Sequence, residues 1–323
     1  MARVLVLDPI HPDGMALLQA RDDIEIVHLE TPTEQAIAAQ MPQADYLLLR
    51  GRTVAEAHYC DAPRLRMVSR HGVGCDNLNS DQLRSLGIGV AITADANYVA
   101  VAEHAMMLTL AACKNLGQAQ HVVRNGDWTV PENRGARELC DAETMVFGFG
   151  RIGRAYAQRA AAFGARIRIF DPYLPEDAAL PDGYRRATDI LEVADADVIS
   201  LHMPLSTETA NLFDATLLAQ LKPGAIVVNT GRGGVVDEAA VVAALETGTP
   251  SIYATDVFAK EPPARDDPLL KHPGVIVTPH SAAMTTESVR RMAMRSAQNI
   301  LDHLDGTLSP EMVVLPVGRG VDG

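Results

Sequence analysis

Strand-like and helix-like segments alternate along almost the whole chain, and the alternation predicts an α/β fold of two similar doubly wound parallel-sheet domains. Length agrees, since 323 residues suit two domains that each bury a core of their own. The third observation is a Gly-rich turn in mid-chain, set between a short apolar strand and an Ala-rich helix.

Taken in order, strands are expected over 3–8, 24–29, 46–50, 66–70 and 89–93, with helices over 14–21, 33–40 and 80–86 between them. No phosphate-binding turn interrupts this half, so residues 1–97 are expected to form a substrate or lid domain. A long apolar helix follows over 99–116, with Asn97 placed to cap it and Gly117 to end it. It contains Glu103, His104 and Lys114, so it reads as a buried crossover helix and not as a membrane span. Glu103 and His104 are expected to be buried and paired there.

The stretch 145–172, MVFGFGRIGRAYAQRAAAFGARIRIFDP, organises the second domain. Gly148 permits the tight strand-to-helix turn, Gly150 lets the backbone approach a pyrophosphate, and Gly153 allows close helix–strand packing. The free N–H groups and the dipole at the helix start can hold phosphate charge. A second strand ends on Asp171, where a carboxylate can accept hydrogen bonds from the adenosine ribose. Strand, G-x-G-x-x-G turn, helix, strand and acid together predict a Rossmann NAD-binding domain over 98–285. Asp171 would repel a 2′-phosphate, which favours NAD over NADP.

Further strands are expected over 197–201, 225–229, 251–257 and 275–278, with helices over 216–221 and 237–246. An amphipathic helix over 286–304 is expected to return to the first domain, so 286–323 is grouped with 1–97. The tail after Gly306 has no clear periodicity. Composition sets bounds on function: 47% apolar and 21% charged residues are ordinary for a globular protein, and a net charge of −13 argues against nonspecific nucleic-acid binding. Cys60, Cys75, Cys113 and Cys140 follow no metal or disulfide spacing. With the opening strand RVLVLD and no signal peptide ahead of it, they read as reduced thiols of a cytoplasmic protein without a metal or membrane partner.

Arg232, Glu261 and His280 each follow a strand, and in an open α/β sheet the carboxyl ends of the strands face the ligand crevice. A His can take a hydroxyl proton while a hydride leaves the same carbon. A carboxylate beside it stabilises the imidazolium, and an Arg can bind a substrate carboxylate bidentately. Each residue taken alone has a plainer reading: a strand-end histidine, a solvated loop acid, a surface charge.

The segments RHGVGCDNLN (70–79), NYVAVAEHAMMLTLAA (97–112), FGFGRIGR (147–154), HMPLSTET (202–209), NTGRGGVVDE (229–238), DVFAKEPP (256–263) and TPHSAAMT (278–285) occur in the order found in the D-isomer-specific 2-hydroxyacid dehydrogenases, and the chain resembles that family over nearly its whole length. The resemblance implies that His280 is the general acid/base, Glu261 its partner and Arg232 the arginine that binds and polarises the substrate. It implies a cofactor site of Gly148, Gly150, Arg151, Ile152, Gly153, Asp171, His202, Pro204, Thr209, Thr230 and Asp256, with Asp256 on the nicotinamide carboxamide. The backbone of Val73 and Gly74 would grip the substrate carboxylate. A homodimer is implied, centred on the helix after Asn97 and the segment 128–138.

The chain departs from the common family pattern at Asp141-Ala142-Glu143, at Met145 and at Ser281-Ala282-Ala283, the last of which narrows the room beside the nicotinamide. Arg50 and Arg70 end neighbouring lid-domain strands and resemble the arginines that hold the distal phosphate in 3-phosphoglycerate dehydrogenases, with Arg134 as a possible third charge. A small (R)-2-hydroxy acid or 2-keto acid bearing a second anionic group is therefore expected. The alternatives are a glyoxylate/hydroxypyruvate reductase and, in a different class, an NAD(H)-sensing binding protein like the corepressors that share the fold.

Overall fold

The computed structural model describes residues 1–128 and 135–318. In chain order the elements are β1 (Ala2–Leu7), α1 (Pro12–Gln19), β2 (Ile24–Leu29), α2 (Glu34–Gln40), β3 (Tyr46–Leu49), α3 (Glu56–Cys60), β4 (Met67–Arg70), α4 (Ser80–Ser85) and β5 (Gly89–Ala91). There follow α5 (Tyr98–Cys113), α6 (Leu116–Arg124), β6 (Glu143–Phe147), α7 (Arg151–Ala162), β7 (Arg166–Phe170), β8 (Arg185–Arg186), β9 (Val198–Leu201), α8 (Ala215–Leu218) and β10 (Ile226–Asn229). The chain ends with α9 (Glu238–Glu246), β11 (Ile252–Thr255), α10 (Pro268–Lys271), β12 (Val275–Val277), α11 (Thr286–Leu304) and β13 (Val313–Leu315). It divides into two units, one of Met1–Asn97 with the stretch from Met284 onward, the other Tyr98–Ala283.

The first unit is a six-stranded sheet in the order β13-β5-β4-β3-β1-β2. Strands β1 to β5 are parallel, and β13 joins β5 antiparallel, Val313 facing Ala91. The sequence gives no sign of β13, because three residues after a 3₁₀ turn are too few to show a period. Leu5, Leu47, Leu49 and Val68 point into one core, and Val4, Val6, Leu48 and Met67 into the other. Successive residues of a strand thus serve opposite faces, each covered by helices, which is why these strands read as unbroken apolar runs. Helix α11 lays Met292, Ala293, Ala297 and Ile300 into the interior and is capped by Thr285, whose hydroxyl accepts from the Ser288 N–H at 3.1 Å.

The second unit is a seven-stranded sheet in the order β12-β11-β10-β9-β6-β7-β8, with all its pairings parallel. Strand order reverses between β6 and β9, and a crevice opens at such a switch point. Helix α5 is apolar on nearly every side and packs against α7 in one core, while Phe147, Phe213 and Tyr253 fill the other. Two expectations for α5 need correction. It ends at Cys113, because Asn115 takes a left-handed φ of 51°, and Gly117 lies inside α6. Glu103 is exposed and pairs with Arg159 at 3.1 Å, whereas His104 is half-buried and bonds elsewhere. Met145 is buried within β6, where it packs in the core with Ile199. Among the described residues no helix is long and apolar enough to cross a membrane, and no group of His, Cys, Asp and Glu could hold a metal.

Candidate active site

The crevice of the second unit is built from the turn after β6. Gly148 has φ +85°, and a Cβ there would stand 3.0 Å from the His202 carbonyl oxygen. A Cβ at Gly153 would fall on the carbonyl oxygen of Gly148, so helix and turn touch through bare backbone. Gly150 faces open space and caps α7 without a side-chain hydrogen bond to its first turn. Arg154 lies over the Phe149 ring at 4.2 Å and braces the same turn.

Asp171 follows β7, and its carboxylate accepts the Phe149 N–H at 2.7 Å and the Tyr173 N–H at 2.9 Å. Those two bonds fix its orientation and leave lone pairs for a ribose. On the other side, the loop after β9 carries His202, Pro204 and Thr209, with the Thr209 hydroxyl donating to the Pro204 carbonyl at 2.7 Å. The His202 Nε2 meets the Ser200 hydroxyl at 2.9 Å, and burial pushes its imidazole down to about 3. A ring held neutral in this way serves as a wall and not as an acid. The Nδ1 of His202 and the hydroxyl of Thr230 are buried polar atoms with no partner among the described residues. Bare glycine turn, oriented Asp171 and unpartnered polar atoms together fit a dinucleotide.

The candidate reactive residues Arg232, Glu261 and His280 come from the loops after β10, β11 and β12. Asn229, at the end of β10, accepts the Gly231 N–H at 3.0 Å and donates to the Arg232 carbonyl at 3.0 Å, fixing the backbone from which Arg232 projects. Gly233 packs so tightly on Phe258 and Ala259 that a Cβ would overlap their backbone. Phe258 in turn donates its N–H to one oxygen of Glu261 at 3.0 Å. The other oxygen of Glu261 meets His280 Nδ1 at 2.6 Å, so Nε2 is the ring nitrogen left for a substrate. His280 is half-exposed, with 51% of its side chain in solvent. Its backbone has φ +50°, a left-handed conformation that a non-glycine residue adopts only when held.

Asp256 does that holding. It is fully buried, and its carboxylate accepts the Thr278 hydroxyl at 2.6 Å, the Ser281 N–H at 2.9 Å and the Ala282 N–H at 2.8 Å. Most of its acceptor capacity is committed to the turn that bears His280, and a carboxamide would share what remains. His104, expected from the sequence only to be buried and paired with its surroundings, reaches from α5 to the Thr278 hydroxyl at 2.8 Å. Its only signal was a polar residue in an apolar helix.

In the first unit, β3 and β4 pair with Leu49 opposite Arg70, so Arg50 and Arg70 both stand at the carboxyl edge. Arg50 donates to the Pro9 carbonyl at 3.1 Å and has no carboxylate partner among the described residues. Arg70 donates to Asn77 at 3.2 Å and to the His71 carbonyl at 3.1 Å. Arg52 is instead paired with Asp8 at 2.8 Å. Beyond β4, the N–H groups of Val73 and Gly74 donate to no partner among the described residues. Arg134 lies outside the described residues.

Residues 106–282, more than half of the chain, match the profile described as D-isomer specific 2-hydroxyacid dehydrogenase, NAD binding domain. The chain is 36% identical over 318 residues to a D-3-phosphoglycerate dehydrogenase of Methanocaldococcus jannaschii, covering 98% of this chain and 60% of that protein. It is 38% identical over 319 residues to the Mycobacterium tuberculosis protein of the same name, covering 98% and 59%. The chain thus spans about 60% of the length of these curated relatives. Among solved structures it is similar to the NAD-dependent formate dehydrogenase of Staphylococcus aureus in complex with NAD, at 26% identity and a TM-score of 0.85, covering 98% of this chain and 100% of that one. A D-lactate dehydrogenase of Aquifex aeolicus complexed with NAD and lactic acid aligns with a TM-score of 0.82 at 25% identity, covering 98% and 100%.

Proposed function

The chain belongs to the D-isomer specific 2-hydroxyacid dehydrogenase family, and from that premise we propose that it interconverts a small (R)-2-hydroxy acid and the matching 2-keto acid with NAD. The observation that carries the reading is the 2.6 Å bond between His280 Nδ1 and Glu261, which leaves Nε2 as the ring nitrogen to accept a proton. NAD, when bound, supplies the hydride acceptor. His280 takes the hydroxyl proton as the C2 hydride leaves, and Glu261 stabilises the imidazolium that results. In the reductive direction the same Nε2 returns the proton to the carbonyl oxygen. Arg232 binds the substrate carboxylate and polarises the carbonyl, and the N–H groups of Val73 and Gly74 donate to the same carboxylate. The turn glycines, with Arg151 and Ile152, hold the pyrophosphate, and Asp171 selects NAD by accepting ribose hydroxyls and repelling a 2′-phosphate.

The substrate we propose bears a second anionic group, a phosphate, sulfonate or carboxylate, held by Arg50 and Arg70. Two findings support this. Arg50 lacks a carboxylate partner among the described residues, and the curated relatives are named for a phosphorylated acid. We also propose a homodimer. None of the residues of α6 is buried, and Leu116, Val123 and Trp128 expose apolar surface along one stretch, which light scattering would report as twice the chain mass.

A spectrophotometric NADH screen over small, phosphorylated, sulfonated and dicarboxylic 2-keto acids tests the reading, with NADPH as the comparison. A dianionic acid should turn over best, with NADH preferred. Arg50→Ala and Arg70→Ala should each lower its kcat/KM about 10–150-fold, the loss of one charge-assisted hydrogen bond. Preference for glyoxylate or lactate-like acids with both variants fully active would remove the second anion site. Binding of NADH with no turnover on any acid would favour a sensing protein instead.

A further inference from the structure

We propose that His104 is a positioning residue for His280, acting through the Thr278 hydroxyl and the Asp256 carboxylate; the proposal rests on His280 being the acid/base group. The four residues lie in one unit but on three separate pieces of chain: α5, the end of β11, and the turn after β12. His280 sits at φ +50°, and holding a non-glycine residue there costs on the order of 1–3 kcal/mol. Something must offset that cost, or the imidazole would drift from the geometry that proton transfer needs.

The bonds that hold the turn converge on Asp256. Its main-chain carbonyl accepts the His280 N–H at 2.8 Å, and its carboxylate accepts the next two N–H groups, those of Ser281 and Ala282. The carboxylate is 0% exposed, so its own orientation must be fixed from within the protein. Thr278 does this by donating its hydroxyl to Oδ1 at 2.6 Å. A hydroxyl has one hydrogen. Since that hydrogen is given to Asp256, the 2.8 Å contact between Thr278 and His104 must have His104 as the donor, with the proton on Nε2. The same Nε2 lies 3.5 Å from Asp256 Oδ1, and among the described residues no Lys or Arg forms an ion pair with Asp256. His104 is therefore the last donor in the chain of bonds, and it stands beside the buried carboxylate that the chain holds. The contacts of His104 with Thr278 and with Asp256 both lie in the network that holds the turn of His280.

The test uses the full chain with NADH and the best keto acid from the screen. His104→Leu and Thr278→Val should lower kcat about tenfold or more while the KM for the acid and the NADH dissociation constant stay within about twofold. Both should enlarge the solvent isotope effect on kcat, because the proton step becomes slower. His104→Gln and Thr278→Ser, which keep a donor and a hydroxyl, should recover most of kcat. The double variant His104→Leu/Thr278→Val should be no slower than the worse single variant, since both break one chain of bonds. A kcat within twofold of wild type in both apolar variants overturns the proposal. So do additive losses, or rescue variants as impaired as the apolar ones. His280→Gln separates this from the underlying reading: if that variant turns over at wild-type rate, the acid/base assignment itself falls. If it is inactive while His104→Leu is unimpaired, only the positioning role falls.

Discussion

At the scale of single residues, a candidate set could be named because the carboxyl ends of strands in an open α/β sheet face the ligand crevice. Arg232, Glu261 and His280 could be named from motifs alone, and His280 and Glu261 prove to be directly bonded. What the sequence concealed was how the set is held. The bond from His104 to Thr278 joins residues 174 positions apart, and no local pattern encodes it. Nor did the sequence show that Arg52, two residues after Arg50, is neutralised by Asp8. The Glu261 bond permits a direct expectation. Glu261→Gln keeps the shape and one hydrogen bond but removes the charge that stabilises the imidazolium. Turnover should fall about 10–100-fold with NADH affinity unchanged. Steady-state kinetics beside NADH fluorescence titration checks this; a variant with full turnover would reduce Glu261 to a loop acid.

At the scale of elements, long segments with strong periods were readable and short ones were not. Helix α11 runs over the span that its amphipathic period marks, 286–304. The short α3, β8 and α10 escaped notice, being too brief for any period to show. The end of α5 was misplaced and α6 not expected, because glycine is the usual helix terminator, whereas here Asn115 adopts the left-handed conformation. Close packing of α1 on α11 offers an element-level prediction. A Cβ on Gly14 would lie 2.7 Å from the Ala293 carbonyl oxygen, which is main chain and cannot swing aside. The helix-propensity gain of Gly→Ala is about 1 kcal/mol, and overpacking of this kind costs about 1–3 kcal/mol. Gly14→Ala should therefore lower stability by up to about 2 kcal/mol, read as a lower urea midpoint. A midpoint that rises would mean that the two helices can move apart at little cost.

At the scale of the whole molecule, net charge of −13 says little about where acid will unfold the chain, because buried groups set that point. His71 is the clearest case. It is 4% exposed, directly after β4, and its Nε2 has no partner among the described residues. Burial pushes its imidazole down to about 4, and the neighbouring Arg50 and Arg70 guanidiniums act in the same direction, against bonds to backbone that include Val289 in α11. In the unfolded chain the same ring titrates near 6.5. Above that pH both states hold it neutral and its contribution to stability is complete. Between about 6.5 and 4 the unfolded chain binds a proton that the folded one refuses, so stability falls as the pH falls. Below about 4 both states are protonated and the loss levels off. The loss through this window should be roughly 1–3 kcal/mol. Urea unfolding at a series of pH values should show that slope, and His71→Gln, which cannot take up a proton, should flatten it while leaving the carboxylate-driven fall at lower pH. An identical slope in His71→Gln would mean that the first unit tolerates a charged imidazole at this position, and that the ring is less sequestered than its burial indicates.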